Sequence, residues 1–311
     1  LRLDGGRTGA IDSVARSAVE RALARPLPSG RHLLVQHALL QGRVHEHGPT
    51  AARLMFETDQ LPPDWMRRLR TVDQLWLTSE HAVEVFGNAG IAADRMHLLP
   101  MTLDFGLYDP TVEREPFALP EEARGFTFLT TFEFQERKGW DVLLDAWVRA
   151  FDASDDVSLV LKTFSLHGDT RREVHERLDT TLADARRRHG KTNAPVVLES
   201  TVLPASELPR LYAACDAFVL ASRGEGWGRP YMEAMAMGLP TIGSRWSGNL
   251  AFMDDENSFL VDGVLRPVER WDARPERDWK GHRWFSADVD ALAETLRVVA
   301  AGGEDVERRA V

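Results

Sequence analysis

Residues 222–233 read Ser-Arg-Gly-Glu-Gly-Trp-Gly-Arg-Pro-Tyr-Met-Glu, and no other stretch of the chain gathers as much usable chemistry. Glu225 and Glu233 stand eight positions apart, with Gly224, Gly226 and Gly228 interleaved around the first. Glycines at this density let the backbone turn sharply and come close to a ligand. Pro230 suits the first turn of a helix, and a helix start offers unpaired N–H donors that suit phosphate or sugar hydroxyls. The plainer alternative is a tight turn, with Glu233 merely complementing the helix dipole. The Gly-x-Gly spacing by itself is weak and is not the dinucleotide fingerprint.

The second candidate is Arg137-Lys138-Gly139, directly after the apolar run FTFLTTF (126–132) and at the start of GWDVLLDAW. Two adjacent cations between a strand end and a helix start make a compact anion site. A solvated helix start is the alternative.

The elements that must carry these loops are legible from periodicity. FTFLTTF (126–132), VSLVLKT (157–163), PVVL (195–198), AFVLA (217–221), PTIG (240–243) and SFLV (258–261) are short, β-branched or aromatic, and predict buried strands. Between them, Leu143, Trp147 and Phe151 recur at helical spacing, 171–189 is a charged helical stretch with an exposed face, and SELPRLYAAC and PYMEAMAM predict shorter helices. This alternation argues a parallel sheet covered on both faces. The first hundred residues are patterned more weakly. HLLVQ (32–36), RLMF (53–56), QLWLT (74–78) and MHLLP (96–100) predict strands, with helices over 11–24, 62–71 and 79–88. The polar connection DFGLYDPTVERE (104–115) divides two units, over 1–108 and 109–311. The opening LRLDGGRTG reads as the tail of a strand running into a glycine turn, so the first domain is expected to be short or trimmed.

The 311 residues suffice for two cores, since single cores stop growing near roughly 250–300 residues. A formal charge of −10 with mixed signs argues against a nucleic-acid protein, which needs a basic face. No apolar stretch is long enough to span a bilayer, and no clear basic amphipathic helix is present, so stable membrane association is not expected. The single cysteine, Cys215, forms no intramolecular disulfide and suits packing better than nucleophilic chemistry. A cytoplasmic location is the default.

RGEGWGRPYMEAMAMGLPTIGSRWSGN, together with TFEFQERKGWDVLLDAW, LPRLYAACDAFVLASRGEGWG, ENSFLVDG, RLMFETDQLPPDW and LPMTLDFGLYDP, resembles one branch of the retaining GT-B glycosyltransferases of family 4 type. Glu225 and Glu233 are similar to the E-x7-E pair of that group. The resemblance covers roughly 53–300. It implies an α/β fold of two Rossmann-like domains facing each other across a cleft, and transfer of a sugar from a nucleoside-diphosphate donor with retention of configuration. It further implies that Glu233 meets the donor ribose, and that Glu225 and the backbone of Gly226, Trp227 and Gly228 lie against the transferred sugar. Arg229 starts the donor-side helix. Lys138 matches the lysine of the family's basic pair for the diphosphate. The usual arginine position holds Phe132, so Arg137 is the candidate second cation. No metal or cofactor is implied beyond the nucleotide-sugar co-substrate.

By the same resemblance Trp246-Ser247-Gly248-Asn249 lines the donor pocket, although a helix cap explains Ser247 equally well. Gly6, in DGGRTG, is placed to offer an N–H to the diphosphate or simply to turn the chain. Glu57 and His37, each after a strand, are candidate acceptor-side groups; for His37 an ordinary structural role is the alternative. Gly190-Lys191-Thr192 lacks the earlier glycine of a phosphate loop, and His45-Glu46-His47 lacks a third spaced ligand for zinc. The expected acceptor is a small molecule or glycan, as in natural-product or polysaccharide assembly. The rival reading is a nucleotide-sugar-binding subunit of the same fold with little turnover.

Overall fold

The computed structural model describes residues 33–37, 48–115, 117–165, 169–201, 203–271 and 279–310. Gly6, the expected helix over 11–24 and the His45–His47 cluster lie outside them.

The first lobe is a four-stranded parallel sheet of β1 (Leu34–His37), β2 (Thr50–Leu54), β3 (Gln74–Leu77) and β4 (Met96–Leu98), ordered as numbered. Helix α1 (Pro63–Leu69) begins on a proline, and α2 (Glu80–Asn88) is capped by the Ser79 hydroxyl, which accepts the Ala82 N–H. Phe56, Trp65 and Phe86 meet edge to face at centroid separations of 5.1–6.3 Å and fix how the helices lie on the sheet. The strand expected over 53–56 instead occupies Thr50–Leu54. Thr50, Ala51 and Ala52 are fully buried, and small buried residues give no periodic signal. The chain leaves the sheet at Met55.

The second lobe is a six-stranded parallel sheet ordered β10-β9-β8-β5-β6-β7. Its strands are β5 (Phe126–Glu133), β6 (Val157–Phe164), β7 (Val196–Glu199), β8 (Ala217–Leu220), β9 (Thr241–Ser244) and β10 (Phe259–Val261). They are connected through α3 (Trp140–Ala150), α4 (Arg171–His189), α5 (Leu208–Ala213) and α6 (Arg229–Ala236), and α7 (Val289–Ala301) and α8 (Glu304–Arg309) follow. Helix α4 opens on a reciprocal capping box between Thr170 and Glu173 and buries Val174, Leu178, Leu182 and Ala185 along one stripe. Gly190 ends it at φ 64°, which gives the Gly-Lys-Thr segment a terminating rather than a phosphate-binding role. Leu103, Leu107 and Tyr108 already pack on this second core. Cys215 is buried, and burial pushes its thiol up to about 12, as suits packing.

Strand order reverses between β5 and β8. Chain leaving β5 turns to one side of the sheet and chain leaving β8 to the other, which opens a crevice at their carboxyl ends. The cation pair follows β5 and the glycine-glutamate loop follows β8, so both candidate segments reach one place. An antiparallel pair, β11 (Gly263–Pro267) and β12 (Arg283–Ala287), borders it. Trp284 of β12, with Val268, Trp271 and Trp279 from the connection between the two strands, forms a separate small core.

Candidate active site

After β5 the chain makes a tight turn over Glu136–Lys138 and passes Gly139 at φ 61°. A Cβ on Gly139 would lie 1.9 Å from the Ala221 carbonyl oxygen, so only glycine lets this turn press on the end of β8. The solvated-helix alternative is overturned, because Arg137 is 8% and Lys138 7% exposed. Both cations point at Glu225. Lys138 Nζ donates to Glu225 Oε1 at 2.5 Å, Arg137 Nη1 lies 3.1 Å from Oε2, and the Ser222 hydroxyl donates to Oε1 at 2.8 Å. Arg137 also donates to the Gly224 carbonyl, and its guanidinium lies 5.8 Å from the Trp271 ring. The Trp271 indole N–H is donated to Gln135 at 2.9 Å, which ties the aromatic core to this turn.

Burial would raise the Glu225 carboxyl, yet Lys138 and Arg137 outweigh it and hold the group at about 2. Burial lowers Lys138, and the neighbouring Arg137 lowers it further. Arg137 is raised by Glu225, so of the two cations the lysine loses its charge the more readily. Phe132, where the resembling family carries an arginine, is 4% exposed and belongs to the hydrophobic core. The cation beside Lys138 is Arg137, its neighbour in the turn.

The glycine loop is shaped by both lobes. Cβ atoms on Gly224 and Gly226 would lie 2.0 Å from the Glu57 carbonyl oxygen and 2.4 Å from Met55 Cβ. Thr78 donates its hydroxyl to the Gly226 carbonyl at 2.7 Å. Glu57, half-buried at the exit of β2, favours the charged forms of both Arg137 and Lys138, so it belongs to the same electrostatic cluster. Beyond the loop, Asp59 accepts the Arg283 backbone and guanidinium N–H groups at 2.7 Å each, and Thr58 shares a 3.0 Å hydrogen bond with His282.

Glu233 lies on α6, buried. One oxygen accepts from Arg229 at 3.1 Å and the other from the Tyr212 hydroxyl at 3.1 Å, and Tyr108 hydrogen-bonds the same carboxylate. Burial raises the Glu233 carboxyl, opposed by these three donors. This corrects the dipole-only alternative, since a surface carboxylate would not collect three side-chain partners. Gly228, at φ 95°, begins the helix. The Trp227 ring packs 5.0 Å from Phe252, which leaves its backbone as the part on the loop.

Ser247 does not cap the turn Gly248–Ala251 that follows it; its hydroxyl accepts the Glu225 N–H at 2.8 Å. Asn249 is buried and donates its amide to the Ser244 carbonyl at 2.9 Å, a structural bond. His37 closes β1 opposite Arg53, and its side chain lies outside the described residues. Arg137, Lys138, Glu57, Glu225 and Ser247 thus meet at the crevice, with Glu233 and Arg229 on the helix that begins at its edge. Sequence reasoning missed Tyr108, Tyr212, Thr78, Gln135 and Trp271. Tyr108, Tyr212 and Gln135 stood inside segments that carry the family resemblance without being singled out, and Ser222 opens the glycine-rich segment itself.

Residues 123–273, which hold both strand-end loops, match the family model described as Glycosyl transferases group 1. Over that stretch the chain is similar to the group 1 glycosyl transferases. D-inositol 3-phosphate glycosyltransferase from Pseudarthrobacter chlorophenolicus is 27% identical over 190 residues, 60% of this chain and 43% of that protein. Mannosylfructose-phosphate synthase from Agrobacterium fabrum is 25% identical over 176 residues, 56% of this chain and 38% of that protein. The chain therefore spans about two fifths of the length of these curated relatives. Among solved structures, HepE from Anabaena in complex with UDP and glucose superposes with a TM-score of 0.59 at 18% identity, covering 85% of this chain and 65% of that one. A glycosyltransferase from Rickettsia africae gives 0.58 at 14% identity, covering 89% and 69%. These likenesses show the GT-B fold, two Rossmann-like lobes, as the resemblance implied. No helix among the described residues is long and apolar enough to cross a membrane.

Proposed function

We propose that the chain is a retaining, metal-independent glycosyltransferase that takes a sugar from a nucleoside-diphosphate donor to an acceptor hydroxyl. The observation that carries this reading is the buried triad of Arg137, Lys138 and Glu225 at the point where strand order reverses. Two cations against one carboxylate leave one net positive charge, an arrangement that attracts a diphosphate. Breaking the sugar–phosphate bond adds negative charge to the leaving nucleotide while the sugar becomes oxocarbenium-like. Fixed donors aimed at that charge contribute about 3–4 kcal/mol each. Arg137 and Lys138 take this role, with Glu225 and the glycine-loop amides along the transferred sugar and Glu233 on the ribose. No residue is assigned as a covalent nucleophile, and front-face attack assisted by the leaving group accounts for retention. UDP is the first nucleotide to try, because HepE was crystallised with it.

Glu57 is the acceptor-side group on this reading, and Tyr108 and Tyr212 orient Glu233. The acceptor is a small soluble molecule or glycan met in the cytoplasm, in natural-product or polysaccharide assembly. A thermal-shift screen of UDP, GDP, dTDP and CDP sugars identifies the donor. Nucleotide release by wild type and by Glu225→Ala then tests turnover, with and without EDTA. Binding of a donor together with equal, near-zero release by both proteins would favour the non-catalytic subunit.

A further inference from the structure

Ser247 follows β9 with φ 78° and ψ −152°, the one non-glycine residue at positive φ among the described residues. That region is populated almost only by glycine, because a Cβ there crowds backbone oxygens. A serine kept in a glycine conformation calls for a reason in its hydroxyl. Ser247 is buried, and its hydroxyl has a protein partner. Its Oγ accepts the Glu225 N–H at 2.8 Å, and the next residue, Gly248, donates its N–H to the Glu225 carbonyl at 2.9 Å. Both backbone polar groups of Glu225 are thus tied to two consecutive residues of another loop. The contact is close: a Cβ on Gly248 would lie 2.5 Å from the Gly226 carbonyl oxygen and 2.6 Å from that of Glu225. A glycine at 247 would relax the backbone but leave the buried Glu225 N–H without its acceptor.

We propose that Ser247 is a positioning residue: its hydroxyl fixes the Glu225 backbone so that one carboxylate reaches Lys138 and Arg137 together. The strained conformation is retained because a side-chain acceptor is needed where the backbone geometry favours glycine. This rests on the role given to Glu225 above.

Ser247→Gly and Ser247→Ala separate the two contributions, because both remove the hydroxyl and only alanine keeps the strain. Both variants are expected to lose turnover by a similar factor, roughly tenfold for one lost positioning hydrogen bond. Ser247→Ala is expected to melt below Ser247→Gly by roughly 2–6 °C. Hydrogen exchange at the Glu225 amide should accelerate in both. A purely structural serine predicts instead that turnover follows melting temperature, with Ser247→Gly near wild type. That result would overturn the proposal, as would unchanged exchange at Glu225 in Ser247→Gly. Should the wild type release no nucleotide from any donor, the transferase reading fails while the exchange measurement still decides whether Ser247 holds Glu225.

Discussion

Replacing Glu225 by glutamine keeps the shape of the side chain and removes the counter-charge of two buried cations. Glu225 is held at about 2 against an ordinary 4.5. At about 1.4 kcal/mol per pH unit, this favours the charged form in the folded protein by about 3 kcal/mol. Breaking a buried pair by removing one partner typically costs about 3–5 kcal/mol, which agrees. For a chain of this size the loss corresponds to a fall of about 6–12 °C in melting temperature at pH 7. The sign with pH follows from the lowered carboxyl. Its stabilisation is complete above pH 4.5 and is lost as pH falls towards 2, so wild type and Glu225→Gln should converge on acidification. Differential scanning fluorimetry of both proteins between pH 7 and pH 3 measures the gap. Inorganic pyrophosphate, added at pH 7, should raise the melting temperature of Glu225→Gln more than that of wild type, since the two cations then lack their internal partner. A gap below about 1 °C at pH 7, or one that does not shrink between pH 7 and pH 3, would refute the buried triad as the source of stability.

Glu233→Ala should weaken nucleotide binding by about 1–3 kcal/mol, read by calorimetry with the nucleotide the screen selects; unchanged affinity would remove Glu233 from the site. Gly224→Ala places a Cβ 2.0 Å from the Glu57 carbonyl, so turnover should fall sharply and the radius of gyration in small-angle scattering should increase as the lobes part. Wild-type scattering and turnover would show that the loop adapts. Burial lowers Lys138, so the alkaline loss of turnover should begin below the ordinary lysine value of 10.5. The same limb should move to higher pH in Lys138→Arg, provided that variant retains measurable activity.

The second lobe was legible because its strands are short apolar runs buried on both faces, and such runs keep a strong signal even when alternation is lost. All six strands fall within one or two residues of where the pattern places them. The first lobe was less so, since Thr50-Ala51-Ala52 is a buried strand made of residues with little propensity. The β11–β12 pair went unread because Val264 and Leu265 of β11 are exposed and the buried Trp284 and Phe285 of β12 are adjacent, so neither strand alternates apolar with polar. At the site, Glu225, Glu233 and Lys138 were found through motif and charge. Tyr108, Tyr212 and Thr78 were invisible, because they act on partners 125, 21 and 148 positions away, and only the fold brings them there. Ser247 was seen as a pocket residue or a helix cap, and the cap reading falls because its hydroxyl holds the Glu225 N–H instead. Its unusual backbone angle leaves no trace in the one-dimensional pattern.

The glycine loop takes its shape from the first lobe as much as from its own residues. Met55 and Glu57 bound it on one side, and Thr78 holds one of its carbonyls. A donor half moved onto a different acceptor half would therefore arrive with a slack loop unless those three residues came with it. Any attempt to recombine halves and so redirect the sugar to new acceptors has its natural cut point before Met55, which keeps all three residues with the loop, rather than at the polar connection between the lobes.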